Sequence, residues 1–298
     1  MHRIARNLKL FLFIIFLIQS QAFSQLGKNL GMLDEYDVIP YLKPIITALS
    51  NASLSGTGFK TEIDKELVIS VAIKGFAMYP TGSEKMFNPS GNGGISGGGT
   101  TSILGKTGSV FSGPSNQKYT YPDGYDVNLL SHFFIYLAAA YEHTEIFLKV
   151  FPQMSFANES ILLTSVGIRA NVNEYFFKRF PFDMTLGISS NNFSISNYVK
   201  STNFGLSAQV GETYGKLSLY GNVQYEITRG SVNYSINGDP NSANALLRVS
   251  RNVSKSFEGK NALLTSLGMS LKYSMFILCG EYTIAKNSVM TAGVLVTF

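Results

Sequence analysis

The chain holds one cysteine, Cys279, and three histidines in 298 residues, few of the groups from which reactive centres are built. A single thiol excludes an intramolecular disulfide and any zinc site made of paired cysteines. His2 falls in the N-terminal leader, which leaves His132 and His143. Two imidazoles are too few for a histidine metal centre, so no metal and no cofactor is expected. Charged residues are scarce at 14%. The formal net charge is +5, and loss of Arg3, Arg6 and Lys9 with a cleaved leader lowers it to +2. That is no footprint for nucleic acid. Long apolar runs are missing as well: beyond the leader, nothing approaches the roughly 18 residues of a membrane-crossing helix.

Aromatic residues and glycine are plentiful, with 16 tyrosines, 22 phenylalanines and 28 glycines, and 45% of the chain is hydrophobic. In an exported chain, many aromatics beside few charges suit a transmembrane β-barrel with interfacial aromatic girdles. A pair of soluble β-sandwiches fits the composition alone. The leader argues for export. His2, Arg3, Arg6 and Lys9 precede the apolar run Leu10 to Ile18, and Ala22-Phe23-Ser24 closes a polar stretch. This order predicts a signal peptide over 1–24, cut before Gln25. Nine apolar residues are too short to cross a hydrocarbon core about 30 Å thick.

Residues 25–51 read as a helical plug or a periplasmic segment. Asp34 could cap a helix in which Val38, Tyr41, Leu42, Ile45, Ile46 and Leu49 recur at helical spacing. Pro40 and Pro44 predict a turn or two on either side rather than one rod. From 52 to 298 the pattern changes to period two, with successive side chains on opposite faces. Such segments occur at Leu67–Tyr79, Phe133–Glu142, Glu145–Phe151, Ser160–Val172, Phe182–Ser189, Phe204–Val210, Leu217–Ile227, Leu263–Tyr273, Phe276–Ala285 and Val289–Phe298. Weaker ones lie at Ser53–Thr61 and within Ala245–Ser256. The expectation is an all-β, antiparallel transmembrane barrel of about 12 strands, within 10–14. The polar faces carry Ser, Thr, Gly, Asn and Gln rather than the many Lys and Glu of a face in bulk water, which favours a narrow wet lumen over a sandwich. A glycine-rich stretch at 80–128 interrupts the series as a long loop, outside or folded into the pore.

Little in the chain resembles catalytic machinery. Gly105-Lys106-Thr107 suggests a phosphate loop, but the required earlier glycine is replaced by Thr100. His143 lies in a hairpin turn and His132 at a strand start, without a defined nucleophile and orienting group. The chain is not expected to be an enzyme. The ionisable residues assigned to the lumen, Glu142, Lys149, Arg169, Asp183, Glu226, Lys272 and Glu281, are better candidates for function. Such charges pair across a lumen or set the field a solute meets. At the C-terminus, Met290, Ala292, Val294, Val296 and Phe298 share one apolar face. This strand is expected to close the barrel, and Met290, Val294, Val296 and Phe298 to serve as a signal for the barrel assembly machinery.

Four short motifs, Tyr121-Pro122-Asp123-Gly124, the strand Glu145 to Pro152, Val166-Gly167-Ile168-Arg169 and Phe180-Pro181-Phe182-Asp183, resemble an uncharacterised family of outer-membrane β-barrel proteins from Bacteroidetes-type bacteria. The resemblance covers roughly Val38 to Phe298 and implies a barrel without implying a substrate. In plan, a helical plug ahead of a barrel is similar to the long-chain fatty-acid and hydrocarbon transporters. The expected function is a passive channel or transporter in the bacterial outer membrane for small solutes, hydrophobic ones if the N-terminal helix plugs the pore. The expected partners are outer-membrane lipids, the assembly machinery and such a solute, with no nucleic acid. The alternative is a structural or surface-interaction barrel that displays the glycine-rich loop.

Overall fold

Period-two alternation builds the wall of this protein. The computed structural model describes residues 25–60, 62–90, 98–113, 118–156, 158–173, 181–259 and 262–298. The expected signal peptide lies outside the described residues. Two helices, α1 (Gln25–Gly31) and α2 (Val38–Leu54), precede the strands. β1 (Val68–Met78) follows, then four short loop strands: β2 (Met86–Phe87), β3 (Thr100–Thr101), β4 (Val110–Ser112) and β5 (Lys118–Thr120). Next are β6 (Leu130–Tyr141), β7 (Thr144–Val150), β8 (Met154–Phe156), β9 (Glu159–Asn171) and β10 (Asp183–Ile195). β11 (Val199–Tyr214), β12 (Leu217–Ile236), β13 (Arg251–Glu258), β14 (Ala262–Tyr273), β15 (Phe276–Ile284) and β16 (Val289–Thr297) complete the chain.

Among the described residues, twelve strands form one antiparallel sheet. Ten of them close into a ring, β1-β6-β7-β9-β10-β11-β12-β14-β15-β16, with β16 back on β1. The seam runs from Ser70 opposite Thr297 to Met78 opposite Val289. Phe298 extends it, its N–H donating to Ile69 O at 2.9 Å. The other two strands prolong ring members. β8 continues the line of β7 along β9, across a break at Pro152, and β13 continues that of β14 along β12. The wall is thus ten strands around with two extensions.

Boundaries follow turn chemistry. Glu142 and His143 both take positive φ, 47° and 60°, so they form the tight turn between β6 and β7, one residue earlier than the alternation predicts. Of the weak strand expected at Ser53–Thr61, the described residues 53–60 form no strand: Ser53 and Leu54 end α2, and a turn at Ser55 and Gly56 leads the chain on inside the barrel.

The outer face is apolar on all sides. Ile73 (62% exposed), Ile146, Ile188, Leu206, Leu267 and Met290 point away from the lumen. Soluble monomers seldom expose contiguous apolar patches beyond a few hundred Å². At the end of the short turns this belt meets exposed Tyr141, Tyr214, Tyr273, Phe276 and Phe298. An apolar belt with an aromatic girdle is the surface of a transmembrane β-barrel. The other end carries the long connections.

The lumen is occupied. α2 enters from the loop end as one 17-residue helix, not the interrupted one expected. Pro40 stands in the first turn, where its missing N–H had no partner. Pro44 is inside the helix and costs a bond to the Pro40 carbonyl, but burial of Tyr41, Leu42, Ile45, Ile46 and Leu49 holds the segment straight through. Below α2 the chain runs to the turn end. There Glu142 N donates to Lys65 O at 3.0 Å and His143 N to Asp64 O at 3.3 Å, and β1 starts.

Candidate functional site: the plugged lumen

Two lysines hold the lower end of the plug. A helix finishes with carbonyls that lack intrahelical partners and carry partial negative charge. Lys149, inward on β7 and fully buried, donates to the carbonyls of Ser53 and Ser55, the latter at 3.0 Å. Lys74, inward on β1 and equally buried, donates to Gly56 O at 2.7 Å and Gly58 O at 3.1 Å. Glu281, on β15 two strands from Lys74, meets the same segment and accepts the Gly56 N–H at 2.9 Å. Gly56 has φ of 71°, a conformation that an L side chain adopts only at a cost. Tyr220 lies over Gly268, where an added Cβ would come within 2.2 Å of the ring, and its hydroxyl reaches Glu281 at 3.3 Å. Higher on the plug, Asn203 donates to Ser50 Oγ at 2.8 Å.

Nearer the turn end lies a buried ion pair. Arg169 Nε donates to Glu145 Oε1 at 2.8 Å, and the Tyr136 hydroxyl donates to the same oxygen at 2.6 Å. The guanidinium lies 4.7 Å from the centre of the Phe59 ring, a cation–π contact with the plug itself. Beside this pair is a cavity of about 20 Å³ lined by Arg169, Thr57, Gln209, Asn222 and Gln224. It has room for about one water molecule.

The described part of the long connection caps the loop end. The long connection between β1 and β6 folds back over the mouth, burying Ile103 and Leu104 against α2. Ile103 N donates to Tyr41 O at 3.1 Å. Asp37, 1% exposed, ties plug to cap by accepting the Ser90 N–H at 2.7 Å and the Tyr121 hydroxyl at 2.5 Å. Burial, and then this bond to Asp37, push the Tyr121 phenol up. The motif Tyr121 to Gly124 gains its meaning here. Asp123 O accepts from Asn29 and from Tyr41, and a Cβ on Gly124 would sit 2.3 Å from Gly105 O, so only glycine allows the two backbones to cross.

Glu84 in the cap is 2% exposed, and burial pushes its carboxyl up to about 7. Lys286 Nζ at 3.9 Å, and to a lesser degree the Thr81 backbone, offset only part of that rise. The closed cap therefore binds a proton that an open one releases, and closure weakens as pH rises from about 4.5 to about 7. Amide exchange at Ser102 to Gly108, corrected for the intrinsic rate, should speed up from pH 5 to pH 8. Glu84→Gln should hold it at the slow value at both. A wild-type rate that does not change with pH would refute the coupling.

The structure places the expected lumen residues in three groups. Lys149, Arg169, Glu226 and Glu281 are buried in the lumen and all contact the plug, Glu226 through Ser50 as well as accepting a bond from Thr228 on its own strand. Asp183 is half-buried at the rim where β10 begins. Glu142 and Lys272 are exposed at the turn end, outside the lumen. Glu142 forms the tight turn, and Lys272 stands one residue before the end of β14, where the wall gives out. Three residues outside the expected set complete the site: Lys74, Glu145 and Tyr136. Parity could have found Glu145, because it shares a face with Phe147 and Lys149 while Glu142 precedes the strand. At the C-terminus, Met290, Val294 and Phe298 face outward, and Val296 is half-buried on the same side.

The profile of DUF6588, a family of unknown function, matches residues 1–298, and the chain belongs to that family. No curated protein matches the sequence. Among solved structures, the attachment invasion locus protein Ail of Yersinia pestis is similar over 79% of this chain and 100% of its own, at 10% identity and a TM-score of 0.27. The translocator domain of the autotransporter NalP from Neisseria meningitidis aligns over 86% and 94%, at 12% identity and 0.26. The outer-membrane channel DcaP of Acinetobacter baumannii aligns over 82% and 100%, at 11% and 0.20. Likenesses this weak add nothing to what the chain's own geometry shows.

Proposed function

We propose that this member of the DUF6588 family is an outer-membrane β-barrel that passes small solutes only when its N-terminal plug moves. The predicted signal peptide and the girdled apolar belt support the location. The observation that carries the gated reading is the seat of the plug. Its lower end is held by hydrogen bonds that Lys74 and Lys149 donate to backbone carbonyls and that Glu281 accepts from the Gly56 N–H, which water can replace as the plug withdraws. The upper lumen is apolar, with Ile161, Ile195, Val199, Val232 and Val289 inside, which favours a solute of hydrophobic character. The filled polar lower lumen favours a second reading, a permanently sealed structural barrel.

Liposome swelling separates the two. In a Cys279→Ser background, Ser50→Cys with Asn203→Cys replaces the 2.8 Å bond between plug and wall by a disulfide lock. Vesicles holding the full chain should admit small sugars or short-chain amphiphiles several-fold faster when the lock is reduced than when it is oxidised. Equal and negligible rates in both forms would establish the sealed barrel instead.

A further inference from the structure

The outer wall carries a cationic groove at the level where its apolar belt ends, and we infer that it seats the phosphorylated head group of a membrane lipid. The inference rests on the reading of the chain as a membrane-spanning barrel. The groove is open and spans about 680 Å³ on the outside of β9 to β12, and Leu162, Asn192, Lys200, Thr202 and Arg229 are among its lining.

Strand register shows why it lies there. Pairing aligns Ile168, Ile188, Leu206 and Tyr225 in one outward row across the four strands, and Val166, Ser190, Phe204 and Ile227 in the row above. These rows are apolar except for Ser190. The next row is Thr164, Asn192, Thr202 and Arg229, and the one beyond is Leu162, Ser194, Lys200 and Ser231. The wall thus turns from hydrocarbon-facing to polar within one step of two residues, just short of the loop-end turn at Ser196. A lipid phosphate occupies that depth, with its acyl chains below along Phe204, Ile227 and Leu206.

The chemistry fits a phosphate. Lys200 stands opposite Ser231 and Arg229 opposite Thr202, so the two cations are diagonal neighbours on adjacent strands. Such positions are about 7–8 Å apart, which lets one phosphate lie between an ammonium and a guanidinium. Thr202 donates to Asn192 Oδ1 at 2.8 Å, which leaves the Asn192 amide group to donate toward the groove. Arg229 also contacts Glu258 Oε1 at 3.4 Å, both side chains largely exposed. That carboxylate competes with the phosphate and tunes the site.

Native mass spectrometry of the folded full chain in neutral detergent provides the test, with diphosphoryl lipid A as the probe and an uncharged glycolipid of similar chain length as the control. Wild type should retain the phosphorylated lipid about tenfold better than the control. Lys200→Gln with Arg229→Gln should abolish that preference, and Glu258→Gln should strengthen retention. Equal retention of both lipids, or a preference that survives the double substitution, would overturn the inference. So would displacement by inorganic phosphate at the same concentration, which would mean a site for the free anion. Insertion into vesicles, scored by protease protection, is measured in parallel. A barrel that inserts but shows no preference defeats the groove alone, whereas failure to insert defeats the membrane reading beneath it.

Discussion

Replacing Lys74 and Lys149 together with methionine should unseat the plug and raise amide exchange at Ser55 to Phe59 about a hundredfold. Both ammonium groups are buried, and between them they satisfy the carbonyls of Ser53, Ser55, Gly56 and Gly58. Methionine fills a similar volume but donates nothing. Each carbonyl stranded away from water costs roughly 1–3 kcal/mol. Removing two like charges from a dry site recovers part of that, since burying each ammonium has its own cost. The difference is about 3 kcal/mol in favour of withdrawal, or about two powers of ten. Permeability in the swelling assay should rise with exchange. Lys272→Met, at the exposed rim, should change neither. If the double variant exchanges as slowly as wild type, the plug is held by its apolar upper half, and the lysines only fill space.

Much of the wall was legible because a strand shows its two faces at every second residue. The inward and outward sets of β9, β12, β14 and β16 follow directly from their alternation. Strand number was less legible. The segment expected within Ala245–Ser256 is β13, which continues the line of β14 along β12 instead of adding to the ring, and the three residues of β8 beyond Pro152 are too few to show alternation. The plug was legible as a helix from its apolar spacing, but not as one rod, because the tolerance of Pro40 depends on its place in the first turn and that of Pro44 on burial by the surrounding wall. The seat was the least legible part. A lysine bound to backbone carbonyls has no partner residue type that could mark it in a sequence. Lys74 is therefore missing from the expected lumen set, and the turn residue Glu142 stands there in place of Glu145.

Glu145→Ala should be the most destabilising single substitution in the lumen, costing about 3–5 kcal/mol in urea unfolding of the folded barrel. Arg169 and Glu145 have side chains 5% and 1% exposed. Without the carboxylate, the guanidinium keeps only the Lys60 carbonyl at 3.5 Å and the face of Phe59, too little to offset the lost solvation of a full charge. The Tyr136 hydroxyl loses its acceptor as well. Arg169→Met alone leaves a buried carboxylate that still accepts from Tyr136, so its cost should be smaller. The double variant Glu145→Leu with Arg169→Met should recover much of the stability, because replacing both partners of a buried pair leaves no charge stranded. The cycle also measures how dry the lumen is. A coupling energy above about 2 kcal/mol requires that bulk water be kept from the pair. If Glu145→Ala cost less than about 1 kcal/mol, water would already reach Arg169 past the plug, and the barrel at rest would be leaky rather than closed.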